Sequence, residues 1–365
     1  MRDAADLSGF QGAFVGRKVL LTGHSGFKGS WLTLWLDMLG ARVLGVSLPS
    51  GIQPALSDLA KIDQSCISRI ADINDAGALN DAVGDFQPDL IIHMAAQAIV
   101  RNSYDCPVQT FATNVVGTAN VLEIARHMAS VRGIVVVTSD KCYENNEWDW
   151  GYRETDPLGG SDPYSASKAG TELVVQAYRR SYFHMAAGPW LASVRAGNVF
   201  GGGDWAPYRL IPDIVRAMTD GQDVIIRNPS SVRPWQHVLE PLAGYLILAA
   251  RLLMDDGQKV AGAWNFGPDI DATVPVGDLC RSFAQVWGPG GPDFIFEHDL
   301  NAPHEAGLLR LDSTKSRLHL GWQPRLSLHD ALALTADWYR AHANGADMRR
   351  ETRRQIAVYA GRMVP

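Results

Sequence analysis

Tyr164 and Lys168 stand four residues apart, and on a helix that spacing puts both side chains on one face. A phenol with its ordinary pKa of about 10 is a poor base near neutrality. A neighbouring cation favours the phenolate, which can then take a hydroxyl proton while a hydride leaves the same carbon. Such a pair also occurs by chance on exposed helices, so its setting has to be weighed. Upstream lies Thr138-Ser139-Asp140-Lys141, at the end of a predicted strand. Ser139 can hydrogen-bond the reacting oxygen. Asp140 and Lys141 exceed what simple alcohol oxidation needs, and an acid and a base beside a transient ketone suit elimination of water. A buried salt bridge capping the strand is the competing structural account.

The second group of chemical interest is a glycine loop. Residues 18–22 read as a strand and run into Gly23-His24-Ser25-Gly26-Phe27-Lys28-Gly29, with an apolar helix following. Gly23 permits a tight turn, Gly26 lets backbone N–H groups approach a pyrophosphate, and Gly29 allows close helix–strand packing. The helix N-terminus then directs its partial positive charge at the phosphates. Between a strand and a helix, this pattern predicts dinucleotide binding. The nicotinamide ring of such a cofactor would be a second cation for Tyr164. The second strand ends in Val46-Ser47-Leu48-Pro49, which has neither an acid for the adenosine ribose nor an arginine for a 2′-phosphate. NAD is favoured on that basis. Asp72, taken to follow a third strand, could bond the adenine amino group or simply be a carboxylate in a turn.

Those groups need a frame. Strands are predicted at 18–22, 42–48, 90–94, 133–139 and 192–195, and helices at 31–39, 76–86, 107–126 and 164–183. Alternation of this kind predicts an α/β, Rossmann-type doubly wound parallel sheet with ligands beyond the carboxyl ends of its strands. After residue 195 the pattern breaks at Gly201-Gly202-Gly203. The division expected is an NAD-binding domain over 17–199, with 233–268 returning to it as a helix at 237–253 and a strand at 263–266. A smaller, discontinuous substrate lobe takes 200–232 and 269–345. The first sixteen residues carry no clear signal and read as a loose arm.

Composition narrows the partners. A net charge of −6 argues against nucleic acid. Arg349, Arg350, Arg353 and Arg354 read as a solvated helix face. Cys66, Cys106, Cys142 and Cys280 show no metal-ligand spacing, so no metal is expected, and they read as free thiols of a cytoplasmic protein. The apolar stretch 241–253 is shorter than the roughly 20 residues of a membrane span and suits a buried helix.

Taken together, TGHSGFKGSWL at 22–32, VTSDKCY at 137–143, WDWGYRETDPLGGSDPYSASK at 148–168, RAGNVFGGGDW at 195–205 and RPWQHV at 233–238 resemble the CDP-glucose 4,6-dehydratases. These are extended short-chain dehydrogenase/reductases, and the resemblance spans about residues 17–340. In the related dTDP-glucose enzymes a glutamate commonly follows the aspartate, where this chain has Lys141. The resemblance implies a lyase acting on CDP-glucose, in deoxysugar synthesis for surface polysaccharides such as O-antigen. Tyr164 would take the C4 hydroxyl proton as hydride passes to a tightly held NAD. Lys141 would remove the C5 proton, Asp140 would protonate the departing C6 hydroxyl, and hydride would return to C6.

The implied catalytic set is Ser139, Asp140, Lys141, Tyr164 and Lys168. For the cofactor it is Gly23, Ser25, Gly26, Phe27, Lys28, Gly29, Asp72, Ala95 and Asn114, with Tyr164 and Lys168. Ser103, Asn198, Arg209, Arg233 and His304 are implied for the substrate, with Arg233 favoured for the diphosphate. Trp148 and Trp150 read as a loop near the cleft or as buried packing. A homodimer is expected, because extended dehydrogenases often pair through helices. Two other readings stay open: an epimerase or reductase on the same scaffold, and a non-catalytic NAD-binding sensor.

Overall fold

Short runs of Val, Ile and Leu supply the strands, and the helices between them cover both faces of the sheet they form. The computed structural model describes Phe10 and residues 12–184, 189–226, 228–288, 293–296 and 307–363. Six strands come first: β1 (Lys18–Thr22), β2 (Arg42–Ser47), β3 (Ile67–Ile70), β4 (Leu90–His93), β5 (Gly133–Val137) and β6 (Trp190–Ala196). Then follow β7 (Asn198–Phe200), β8 (Val224–Ile226), β9 (Val232–His237), β10 (Ala263–Phe266), β11 (Thr273–Pro275) and β12 (Phe294–Phe296). The large sheet runs β10-β6-β5-β4-β1-β2-β3, with every neighbouring pair parallel. β4 and β6 are buried along their whole length, as strands covered on both faces must be.

Strand order reverses where β4 meets β1. The connections leaving these two strands go to opposite faces, and a crevice opens beyond their carboxyl ends. The expected doubly wound fold is therefore present. β3, the strand taken to precede Asp72, had no predicted bounds. It is an edge strand exposed throughout, with Ile70 71% exposed, so it lacks the buried pattern that marks the others.

The stretch 233–268, expected to return as a unit, divides between two sheets. β9 pairs with β7 and β11 in a separate three-stranded sheet, while the helix Leu239–Leu252 and β10 join the large one. Residues 107–126 are helical as expected, but through two α segments flanking a π turn at Ala112–Val116. β8 and β12 pair in a small parallel ribbon.

Two expectations about the chain's ends are corrected. Among the described residues of the expected arm, Phe10 and Phe14 are buried, and Phe10 meets Trp35 edge-on at 5.9 Å. The C-terminal arginines do not all face solvent. Arg349 donates to the carbonyl of Lys61 and to Ser65 Oγ at 2.9 and 2.7 Å, and Arg353 donates to Asp37 at 2.6 Å. They clasp the Met348–Gly361 helix to the segment 37–65, because charge-assisted hydrogen bonds to a carbonyl, a hydroxyl and a carboxylate are favourable at a helix interface.

The helix Phe27–Met38 packs against the segment that follows β7. Trp31 is fully buried and its Nε1 donates to the Gly202 carbonyl at 3.0 Å. A Cβ on Gly202 would lie 2.0 Å from Cγ of the buried Trp338. Gly202→Ala should therefore cost about 1–3 kcal/mol through overpacking, read as a lower urea midpoint with an unchanged slope.

Candidate active site

Beyond the β1 and β4 carboxyl ends lies a cleft of about 1260 Å³. Its floor is the glycine loop. A Cβ on Gly23 would stand 2.7 Å from the Ala95 nitrogen, and one on Gly29 only 2.1 Å from the Gly23 carbonyl oxygen. Only residues without a side chain let the loop, the helix start and the β4 loop close up in this way. Gly26 is the N-cap and supplies no side-chain cap, so the first-turn N–H groups keep free donors facing the cleft. This cradle fits a dinucleotide pyrophosphate.

Where an acid was sought after β2, the chain places hydroxyls. Ser25 Oγ lies 2.8 Å from Ser47 Oγ and donates to the Leu48 carbonyl at 3.0 Å, and His24 bridges Ser47 and Ser68. Asp72 lines the cleft, with Oδ1 accepting from the backbone and side-chain nitrogens of Asn74. Phe27, Lys28 and Ala95 also line it. Lys28 faces Arg209 and Lys168 as well as Asp140 and Asp204, and burial beside the two cations lowers its pKa to about 7.

The catalytic helix Pro163–Ser181 starts where Asp162 accepts from the Ser165 N–H at 2.9 Å, with Pro163 in the first turn. This brings Tyr164 and Lys168 into the cleft beside Ser139, Asp140 and Lys141. Lys168 Nζ lies 6.0 Å from the Tyr164 ring centre and donates to the Val137 carbonyl at 3.4 Å. The expected lowering of the phenol by the lysine is not what the protein groups do by themselves. Burial pushes Tyr164 up to about 12, against the pull of a hydrogen bond with Ser139. Burial also brings Lys168 down to about 8, with Cys142 and Glu172 opposing.

Asp140 is buried, and burial raises its pKa despite the nearby cations Lys141 and Arg233. Its Oδ1 accepts from Ser139 Oγ at 2.9 Å, whereas Oδ2 has no partner among the described residues. Asp140 and Lys141 make no side-chain hydrogen bond, so a salt bridge does not cap β5. A protonated carboxyl with one uncommitted oxygen can act as an acid.

The remaining predicted residues separate. Asn198, Arg209 and Arg233 line the cleft. Arg209 is held by Asp204 at 2.8 Å, and Arg233 donates to the Val232 carbonyl at 3.0 Å. Ser103 does not line the cleft: it donates to the Val100 carbonyl and accepts from the Tyr164 N–H, pinning the start of the catalytic helix. Asn114 is likewise behind the wall, bonded to the Gln97 backbone and to Ser167 Oγ. His304 falls outside the described residues. Trp148 packs at a tilt against Tyr152 at 5.0 Å and Trp150 at 5.3 Å, and neither tryptophan lines the cleft.

Sequence reasoning missed Asp204, which orients Arg209, and the buried Glu172–Arg195 pair. The available signal was Glu172, one helical turn beyond Lys168. Gly29→Ala should weaken dinucleotide binding about tenfold or more, matching the roughly 1–3 kcal/mol of a forced backbone shift. Calorimetric titration checks this, with circular dichroism confirming the fold.

Comparison with known proteins agrees with this geometry. The GDP-mannose 4,6 dehydratase family model matches residues 20–261. The CDP-glucose 4,6-dehydratase of Salmonella typhimurium is 46% identical over 94% of this chain and 96% of its own length. A probable dTDP-glucose 4,6-dehydratase of Sinorhizobium fredii is 28% identical, covering 88% of this chain and 92% of its own. Among solved structures, a dTDP-glucose 4,6-dehydratase from Streptomyces venezuelae with NAD and TYD bound superposes with a TM-score of 0.75. Its identity is 26%, covering 90% of this chain and 98% of that one. A Rossmann cleft with a glycine cradle and a Tyr–Lys helix, matched by these relatives along almost its full length, makes this chain a member of the GDP-mannose 4,6-dehydratase family.

Proposed function

We propose that this chain is an NAD-dependent CDP-glucose 4,6-dehydratase, converting CDP-glucose to CDP-4-keto-6-deoxyglucose and water. The observation that carries the reaction type is Asp140: a buried carboxyl with a raised pKa and a free oxygen, beside Ser139 and Tyr164. An epimerase needs the Tyr–Lys pair but not this acid. The choice of CDP-glucose is supported by the 46% identity to the Salmonella enzyme and by Lys141 in the place where dTDP-glucose enzymes carry a glutamate.

Tyr164 takes the proton from the sugar C4 hydroxyl, which Ser139 holds by hydrogen bonding. Bound NAD would supply the acceptor for the C4 hydride and its donor back to C6, and a cationic ring favouring the phenolate that burial alone disfavours. Gly23, Gly26 and Gly29, with Ala95 and Asp72, are the residues that would hold it. With C4 a ketone the C5 proton is acidic; Lys141, as the neutral amine, takes it and gives it back to C5 when the hydride reaches C6. Asp140 gives its proton to the C6 hydroxyl, which leaves as water. Arg209 and Arg233 receive the substrate diphosphate from the second lobe.

A dimer is part of this reading. Val108 (82% exposed), Phe111, Val116 and Leu173 (58% exposed) form an apolar face on neighbouring helices. An exposed face of this kind suits a second copy of the chain. The four cysteines are unpaired, which supports placement in a reducing cytoplasm.

Mass spectrometry after incubation with CDP-, dTDP- or UDP-glucose tests the activity, with and without added NAD. Loss of one water from CDP-glucose alone is expected, and no loss from any substrate overturns the proposal. Tyr164→Phe should abolish turnover while keeping dinucleotide binding. Asp140→Asn should let reduced cofactor accumulate, visible at 340 nm, because oxidation continues while elimination slows. For the dimer, sedimentation should show two copies for the wild type and one for Val108→Glu/Leu173→Glu.

A further inference from the structure

Behind the wall of the cleft, a chain of buried polar side chains connects the catalytic helix to the Ser139–Tyr143 turn. Glu172 is fully buried, one helical turn beyond Lys168. Its Oε1 accepts from Thr138 Oγ1 at 2.6 Å and Arg195 Nε at 2.9 Å. Its Oε2 accepts from Ser193 Oγ at 2.7 Å and Arg195 Nη2 at 2.8 Å. Both carboxylate oxygens are thus doubly satisfied, and the carboxylate stays charged despite its burial. Arg195 goes on to donate from Nη1 to Tyr143 Oη at 2.7 Å, with its guanidinium 4.8 Å from the centre of the same ring. Tyr143 in turn donates to Asn265 Oδ1 at 2.7 Å, on β10. The chain therefore grips the segment carrying Ser139, Asp140 and Lys141 at both ends, Thr138 and Tyr143. None of its members lines the cleft except Thr138.

We propose that Glu172, Arg195 and Tyr143 are positioning residues that hold the Ser139–Lys141 turn against Tyr164 and Lys168, with Glu172 also sustaining the charge on Lys168. A salt bridge of this depth is weak evidence of stability, since its desolvation offsets much of its attraction. Its geometry is better explained by orientation: four donors fix one carboxylate, and Arg195 carries the network on to Tyr143, at the end of the turn beside the acid. Lys168 is faced by Glu172 and Cys142, which favour its charged form, and by the cations or potential cations Lys28 and His93. Among these, Glu172 is the carboxylate. Replacing it with an amide leaves Arg195 as an uncompensated cation in the same interior, and both changes favour neutral Lys168.

The inference rests on the assignment of Tyr164, Lys168 and Asp140 as reacting groups, so the wild-type enzyme is assayed first for dehydration of CDP-glucose. If the wild type turns over none of the three glucose nucleotides, the functional reading fails and the positioning role falls with it. If the wild type is active, the variants decide. Glu172→Gln should lower kcat by roughly ten- to a hundredfold, the scale of a misplaced catalytic group, with KM changed less than about threefold. The alkaline limb of its kcat–pH profile should move to lower pH as Lys168 loses its charge earlier. Because Glu172→Gln also breaks a buried pair and could unfold the chain, Tyr143→Phe provides a second arm. It removes only the hydroxyl between Arg195 and Asn265, and should lower kcat while leaving that pH limb in place. Variants that retain wild-type kcat and pH profile, with only a lower melting temperature, overturn the proposal. So does a Tyr143→Phe enzyme with unchanged kcat.

Discussion

Taking an ionisable group out of water penalises its charged form, and the cleft is organised around that penalty. The same burial raises Asp140 and Tyr164 and lowers Lys28 and Lys168. The protonated form of the acid and the neutral form of the phenol are both favoured thereby. Such inversions are useful only if each group is held close to its partners. The surrounding structure supplies that hold by fixing the β5 turn, the catalytic helix and the second lobe to one another.

Close backbone approach is the other half of the design. The glycine loop, the β4 loop and the start of the Phe27–Met38 helix approach to distances that no Cβ could share. That closeness leaves a helix N-terminus without a side-chain cap, its donors directed to the cleft. Gly202 lets Trp31 and Trp338 pack closely, next to the segment in which Asp204 holds Arg209 in the cleft wall. Cofactor and substrate sides of the cleft are consequently built on one continuous core. It runs from Leu21 and Trp35 through Val238 to Trp338 and Tyr359.

Polar residues close to the chemistry divide by whether they face the cleft or hold what does. Ser103 and Asn114 look like ligand contacts in a list of residue types. In the fold, they bond the backbone of Tyr164 and Gln97 and the side chain of Ser167. Glu172 and Arg195 are charged and invisible from the cleft, yet they contact both segments that carry the reacting groups. Trp148 packs at a tilt between Tyr152 and Trp150.

The order of elements, the glycine cradle, the Tyr–Lys pair and the unusual Asp140–Lys141 were legible from residue type and spacing. Each depends on local geometry: a period of two or of 3.6, a position where only glycine fits, a reach of one helical turn. The bounds of β3 escaped notice because an exposed edge strand carries no buried alternation, and the burial of Phe10 and Phe14 because nothing local distinguishes a packed arm from a loose one. The pairing of β9 with β7 and β11, the clasp of Arg349 and Arg353, and the Glu172–Arg195–Tyr143 chain join residues far apart in sequence. The pKa shifts depend on the same assembly, which sets both the burial of each group and the charges it meets. These were decided by tertiary structure alone, because burial and long-range hydrogen bonding exist only once distant segments have met.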